Sequence, residues 1–190
     1  MAGNMTALAD LRTDMTLRLI LQAGLRTLEE ATVSELTMRA VAKASGISER
    51  TMFRYFATRD EFLAALAAEL TRTLALPPHP RTIDELLALP AALYRSFEQK
   101  RALMKASLHS ELSDHMRAGE AKQRWLAVSK LIDAYAPRVP EQRRKIASAN
   151  IRYYLSGSTW FYYRFIFRFT LEDTIACAEA AVRQSLDSLR

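Results

Sequence analysis

Residues 45–62, SGISERTMFRYFATRDEF, decide how this chain is to be read. Gly46 breaks one short helical pattern and Ser48 is placed to cap the next, in which Arg50, Phe53, Arg54 and Tyr55 stand close together. A serine or threonine at a helix start accepts a hydrogen bond from an orphan backbone N–H, and a glycine just past a helix end adopts the left-handed conformation at no steric cost. Counting from Ser48 at about 100° per residue, Met52 and Phe56 share one side. Arg50, Phe53 and Arg54 fall on the opposite arc with Tyr55 at its margin. Only one side of so short a helix can be buried, so two guanidiniums and an aromatic ring are left facing outward.

Upstream, Thr37 is placed to cap a helix from Met38 to about Ser45. Downstream, Thr58-Arg-Asp-Glu61 has capping-box spacing and opens a longer helix through Leu63, Leu66 and Leu70. Two short helices around a glycine turn predict a helix-turn-helix. Its outward face suits a DNA major groove: arginine forks guanine O6 and N7 or grips phosphate, and an aromatic packs on sugar or a thymine methyl. Thr37 and Arg39 at the start of the first short helix, with Arg59 in the first turn of the longer one, are expected on the phosphate backbone. The expected DNA-contacting set is Thr37, Arg39, Ser48, Arg50, Thr51, Phe53, Arg54, Tyr55 and Arg59.

Bulk charge does not carry this reading. The net charge is +6, yet residues 1–80 hold nine basic and nine acidic side chains, so the excess lies in residues 81–190. What matters is placement: Arg39, Lys43, Arg50, Arg54 and Arg59 form a run interrupted by one acid, Glu49.

The remaining segments have helical rather than alternating periodicity, so the predicted fold class is all-α. A first helix is expected over about Leu11–Ala31. LPPHPR at residues 76–81 is an internal boundary, because three prolines exclude a helix there. Thr82-Ile-Asp-Glu85 then starts a helix to about Lys100. Further helices are expected over about Ser113–Tyr135, Glu141–Phe169 and Leu171–Leu189, the last capped by Thr170. The predicted organisation is a helix-turn-helix domain at 11–57, a connecting helix with a proline-rich linker at 58–80, and a helical bundle at 81–190.

Cys177 is the only cysteine, which rules out an internal disulfide and suits a reducing compartment. The N-terminal MAGNMTALADLRTD lacks the apolar run of a signal peptide. The apolar stretch from Tyr153 is interrupted by Arg164 and Arg168, unlike a membrane span. A cytoplasmic protein is expected. His79, His109 and His115 do not form a metal site: the latter two are six residues apart, on different helix faces, with no third ligand near. With no glycine-rich phosphate loop and no nucleophile–base pairing, an enzyme is not expected, and no cofactor is called for. A dimeric interaction protein without sequence-specific DNA reading is the competing class.

The core segment LTMRAVAKASGISERTMFRYFATRDEFLAAL, residues 36–66, resembles the DNA-binding domain of the TetR family of transcriptional regulators, and the likeness runs from about Leu17 to Leu66. It has the Thr-started helix, the Ala-x-x-Gly-(Val/Ile)-Ser turn, the Thr-(Leu/Met)-aromatic recognition helix, and the basic–acidic start of the next helix. Phe53 stands where that family usually has tyrosine, Tyr55 where it has histidine, and Arg59 where it has lysine. The resemblance implies a double-stranded DNA operator as partner. It also implies a helical C-terminal region that dimerises and binds a small effector, and the apolar faces of the last two helices are the expected dimer surface.

Two apolar series on the expected 141–169 helix fit dimerisation: Ile151, Leu155, Ser158, Tyr162, Phe165 and Phe169, and Tyr153, Ser156, Trp160, Tyr163 and Phe167. One would face the chain's own core and the other a partner. An apolar effector site is expected among Met104, His109, Met116, Trp125, Tyr154, Trp160 and Phe161.

Overall fold

The computed structural model describes residues 2–30, 36–108 and 111–190, with side chains for residues 14–30, 36–108, 111–118 and 122–190. Its described residues are helical and contain no strand. In chain order the helices are α1 (Ala2–Glu30), α2 (Met38–Ser45), α3 (Glu49–Tyr55), α4 (Arg59–Leu74), α5 (Ile83–Gln99), α6 (Arg101–Leu108), α7 (Leu112–Tyr135), α8 (Glu141–Tyr154), α9 (Gly157–Phe161), a π-helical turn (Tyr162–Ile166) and α10 (Leu171–Asp187). Two compact units result. The first holds residues up to 73 together with the chain up to 116 that enters α7, and the second holds residues 74–108 and 117–190.

In the first unit the buried side chains of α1, α2, α3 and α4 form one core. Ile20, Leu36, Val41, Met52, Phe62, Leu66 and Leu70 are fully buried, and Phe56 meets Phe62 edge-on with ring centroids 5.5 Å apart. α1 starts at Ala2, well before the expected Leu11.

In the second unit α10 packs on α5 and α8. α5 continues through Pro90, and its Tyr94 hydroxyl donates to the Tyr154 carbonyl at 2.5 Å. Burial pushes that phenol's pKa up, so it stays protonated. α6 lies beyond the helices expected from the periodicity and supplies buried Leu103 and Met104.

The expected single helix over 141–169 is not formed. α8 stops at Tyr154, and Ser156 is extended with φ −113° and ψ 153°. Its hydroxyl caps α9 by accepting from the Thr159 backbone N–H at 3.2 Å, while Thr159 Oγ1 donates to the Tyr153 carbonyl at 2.6 Å. These local hydrogen bonds replace the ladder that a continuous helix would have made. A side chain at Gly157 would meet the terminal methyl of Met104, which would have to shift to admit it. Neither apolar series stays on one face as a result. Ile151 and Leu155 are buried while Tyr162 is exposed, and Trp160 is buried while Tyr153 and Phe167 are exposed.

Candidate nucleic-acid interface

The helix-turn-helix is built by local hydrogen bonds. Thr37 Oγ1 accepts from the Ala40 N–H at 3.0 Å and starts α2. Gly46 takes φ 72° and ends it, with its N–H on the Lys43 carbonyl at 3.2 Å and the Ile47 N–H on the Ala42 carbonyl at 3.1 Å. Ser48 Oγ then accepts from the Thr51 N–H at 3.1 Å, and its hydroxyl shares a hydrogen bond with Thr51 Oγ1 at 2.8 Å. Thr58 accepts from the Glu61 N–H at 3.2 Å, and the Glu61 carboxylate accepts from the Ala57 N–H at 2.8 Å.

α3 has one buried and one open side. Met52 is fully buried and Phe56 nearly so, whereas Arg50, Phe53 and Arg54 are exposed. Thr51 and Tyr55 are half-buried between them. Phe53 keeps 52 % of its surface in solvent, an apolar exposure that no contact within the domain explains. The Arg54 guanidinium lies over the Tyr55 ring, 5.6 Å from its centroid, which orders a side chain that would otherwise sweep solvent. The open face therefore offers two guanidiniums, a ring and a hydroxyl-bearing ring edge.

Arg39 on α2 is exposed and donates from Nε to Glu49 Oε1 at 2.8 Å. This ion pair ties α2 to α3 and is a weak surface contact. Arg59 is half-buried and already engaged: Nε donates to Glu111 at 3.2 Å and NH1 to the Leu36 carbonyl at 2.5 Å. Sequence reading missed both acids as partners. Glu49 was visible as the lone acid in the basic run, but Glu111, 52 residues from Arg59, carries no local signal.

The geometry and the family comparison coincide. Residues 20–66, covering part of α1, all of α2 and α3 and the first half of α4, match the model of the bacterial regulatory proteins of the tetR family. The helix-turn-helix segment is similar to the DNA-binding domain of that family. Relatives include the Uncharacterized HTH-type transcriptional regulator Rv1556 of Mycobacterium tuberculosis (strain ATCC 25618 / H37Rv), 31 % identical over 114 residues, which cover 57 % of this chain and 56 % of that protein. Its Mycobacterium bovis counterpart Mb1581 matches to the same extent. A second M. tuberculosis regulator, Rv2912c, is 24 % identical over 139 residues, 73 % of this chain and 71 % of that one. The chain thus spans little more than half the length of the first of these relatives. Each of these relatives is described as an HTH-type transcriptional regulator.

The residues expected at an effector site are less coherent. His109 lies outside the described residues. Met116 groups with the first unit, while Met104, Trp125, Tyr154, Trp160 and Phe161 group with the second. Met104 and Trp160 are core side chains: Trp160 is fully buried, its ring 5.8 Å from Phe97 and 5.4 Å from Phe165. Its indole N–H donates to Glu98 at 3.3 Å. Trp125, Tyr154 and Phe161 are half-buried. Among the described residues no group of three metal-ligating side chains occurs, and no helix is long and apolar enough to cross a membrane.

Proposed function

We propose that this protein is a transcriptional regulator of the tetR type, a cytoplasmic repressor that binds a pseudo-palindromic operator as a homodimer and responds to a small apolar effector. The observation that carries the reading is the open face of α3, where Arg50, Phe53 and Arg54 stand exposed on a helix anchored by buried Met52. Arg50 and Arg54 read base edges, Phe53 and Tyr55 pack on sugar or methyl groups, and the start of α2 with Thr37 and Arg39 binds phosphate. Ser48 and Thr51 hold the first turn of α3 in place.

Residues 81–190 supply the dimer surface and the effector site. Support for a partner-covered face comes from Ile146, Tyr153, Tyr162, Ile166 and Phe167, each more than half exposed. Aromatic side chains each bury about 150–250 Å². Five large apolar groups at half exposure therefore leave roughly 400–500 Å² of apolar surface in solvent. The two-fold would set two α3 helices about 34–36 Å apart on successive major grooves. An effector acts through its differential affinity for the operator-competent and incompetent forms.

Footprinting on the DNA flanking the protein's own gene, at two salt concentrations, tests the reading. A protected pseudo-palindrome is the expected result, and absence of protection at both salts counts against it. On the protected site, Arg54→Ala is expected to weaken binding by about 1–3 kcal/mol, with relaxed preference at one base pair per half-site. Unchanged affinity would remove Arg54 from the interface.

A further inference from the structure

Arg59 stands at the start of α4 with two of its donors in use. Nε is 3.2 Å from Glu111 Oε2 and NH1 is 2.5 Å from the carbonyl of Leu36, the residue just before the α2 cap. One position on, Asp60 Oδ1 lies 3.3 Å from His115 Nε2. The contacts are crossed. The start of α4 presents a cation and then an acid, while the start of α7 presents an acid and, one helical turn later, an imidazole. Two matched contacts on adjacent positions hold the first turn of α7 against that of α4.

α7 is one continuous helix of 24 residues, yet its start groups with the first unit and residues from 117 onward with the second. The Arg59–Glu111 pair is also a contact that can exchange. The two side chains are 38 % and 65 % exposed, and a pair so open to water is weak. Carboxylate and phosphate oxygens take the same guanidinium donors.

We propose that Glu111 competes with DNA phosphate for Arg59, so that the residue leading into α7 acts as an internal brake on DNA binding. This rests on the reading of the chain as a DNA-binding regulator. With Glu111 in place, the Arg59 charge is neutralised and its Nε occupied. With Glu111 withdrawn, NH1 remains on the Leu36 carbonyl and keeps the guanidinium beside the α2 N-terminus. The free backbone amides there already favour a phosphate.

The test compares wild type, Glu111→Gln, Arg59→Gln and the double variant on a short mixed-sequence DNA duplex, by fluorescence anisotropy across a salt series. Each phosphate neutralised contributes about 0.9 to the slope of log K against log salt. Glu111→Gln is expected to tighten binding several-fold at low salt and steepen the slope by about 0.9. The double variant should behave like Arg59→Gln alone, and Glu111→Gln combined with Arg59→Lys should keep the steeper slope. A Glu111→Gln gain of equal size without Arg59 would overturn the proposal in favour of a general charge effect. Weaker binding by Glu111→Gln would also overturn it, making Glu111 a support for Arg59. If none of the proteins binds the duplex at low salt, the DNA-binding reading fails together with the proposal.

Discussion

The α2–turn–α3 segment and the segment from Tyr153 to Phe169 both combine a short helix, a serine cap and a glycine, yet they were legible to different degrees. Between residues 37 and 56 each boundary is set by a residue within four positions of it: Thr37, Gly46 and Ser48 each satisfy a backbone group or absorb a positive φ. Between 153 and 169 the apolar spacing speaks for one long helix, and the chain instead makes a break at Ser156, a five-residue helix and a π-helical turn. What holds the second segment is remote. Glu98, on α5, accepts from Arg164 at 2.8 Å and 3.2 Å and from the Trp160 indole at 3.3 Å. Periodicity reports which residues are apolar; it does not report which of them a distant carboxylate will hold.

The comparison breaks most readily at Trp160. If the π-helical segment is held by its core contacts, Trp160→Ala is expected to destabilise the protein by about 3–5 kcal/mol in urea unfolding, since a fully buried indole leaves a large cavity. A loss below about 1 kcal/mol, well under the usual cost of such a truncation, would show the segment held by local hydrogen bonds, like the helix-turn-helix.

Glu98→Gln sharpens the same point and is expected to cost about 1.5–3 kcal/mol, the range for hydrogen bonds to charged groups. Arg164, by its hydrogen bonds and then its charge, holds the Glu98 carboxyl below its ordinary pKa against the opposing cost of burial. A depressed folded pKa contributes stability that is full above the unfolded value and is lost as pH falls through the folded one. Wild type should therefore lose more stability than Glu98→Gln on acidification, and the gap between them should close at low pH. Parallel acid limbs in urea melts at stepped pH would remove Glu98 from this role.

In the helix-turn-helix the effects should be smaller and confined to single sites. Gly46→Ala must hold a Cβ at φ 72° with no neighbour in the way, so backbone strain alone should cost about 1–2 kcal/mol. Gly46→Asn is expected to recover part of that. Ser48→Ala removes one cap and should cost about 1 kcal/mol. Hydrogen exchange should register that change in the first turn of α3 and leave residues 153–169 unaffected.

The fold class and the two sides of α3 could be read directly because their causes lie close together in the chain. Met52 and Phe56 against Arg50, Phe53 and Arg54 is a helical-wheel statement, and burial follows it. Arg59 shows where that reading stops. Its place at the start of α4 suggests a phosphate contact, whereas folding brings Glu111 and the Leu36 carbonyl to its guanidinium. The effector-site residues show the same limit: an apolar side chain at helical spacing is compatible with a core or a cavity wall, and the burial of Met104 and Trp160 is compatible with both.

By itself the sequence determined the helical content, the caps and turn of residues 37–61, and the outward chemistry of α3, all of which depend on hydrogen bonds and facing relations within one or two turns. Only the tertiary structure decided the break at Ser156, the Glu98–Arg164–Trp160 linkage and the engagement of Arg59 by Glu111. Each of these needs a partner 50 or more residues away, or packing against another helix as at Gly157 and Met104. Such a partner is chosen by the three-dimensional meeting of helices and leaves no periodic trace along the chain.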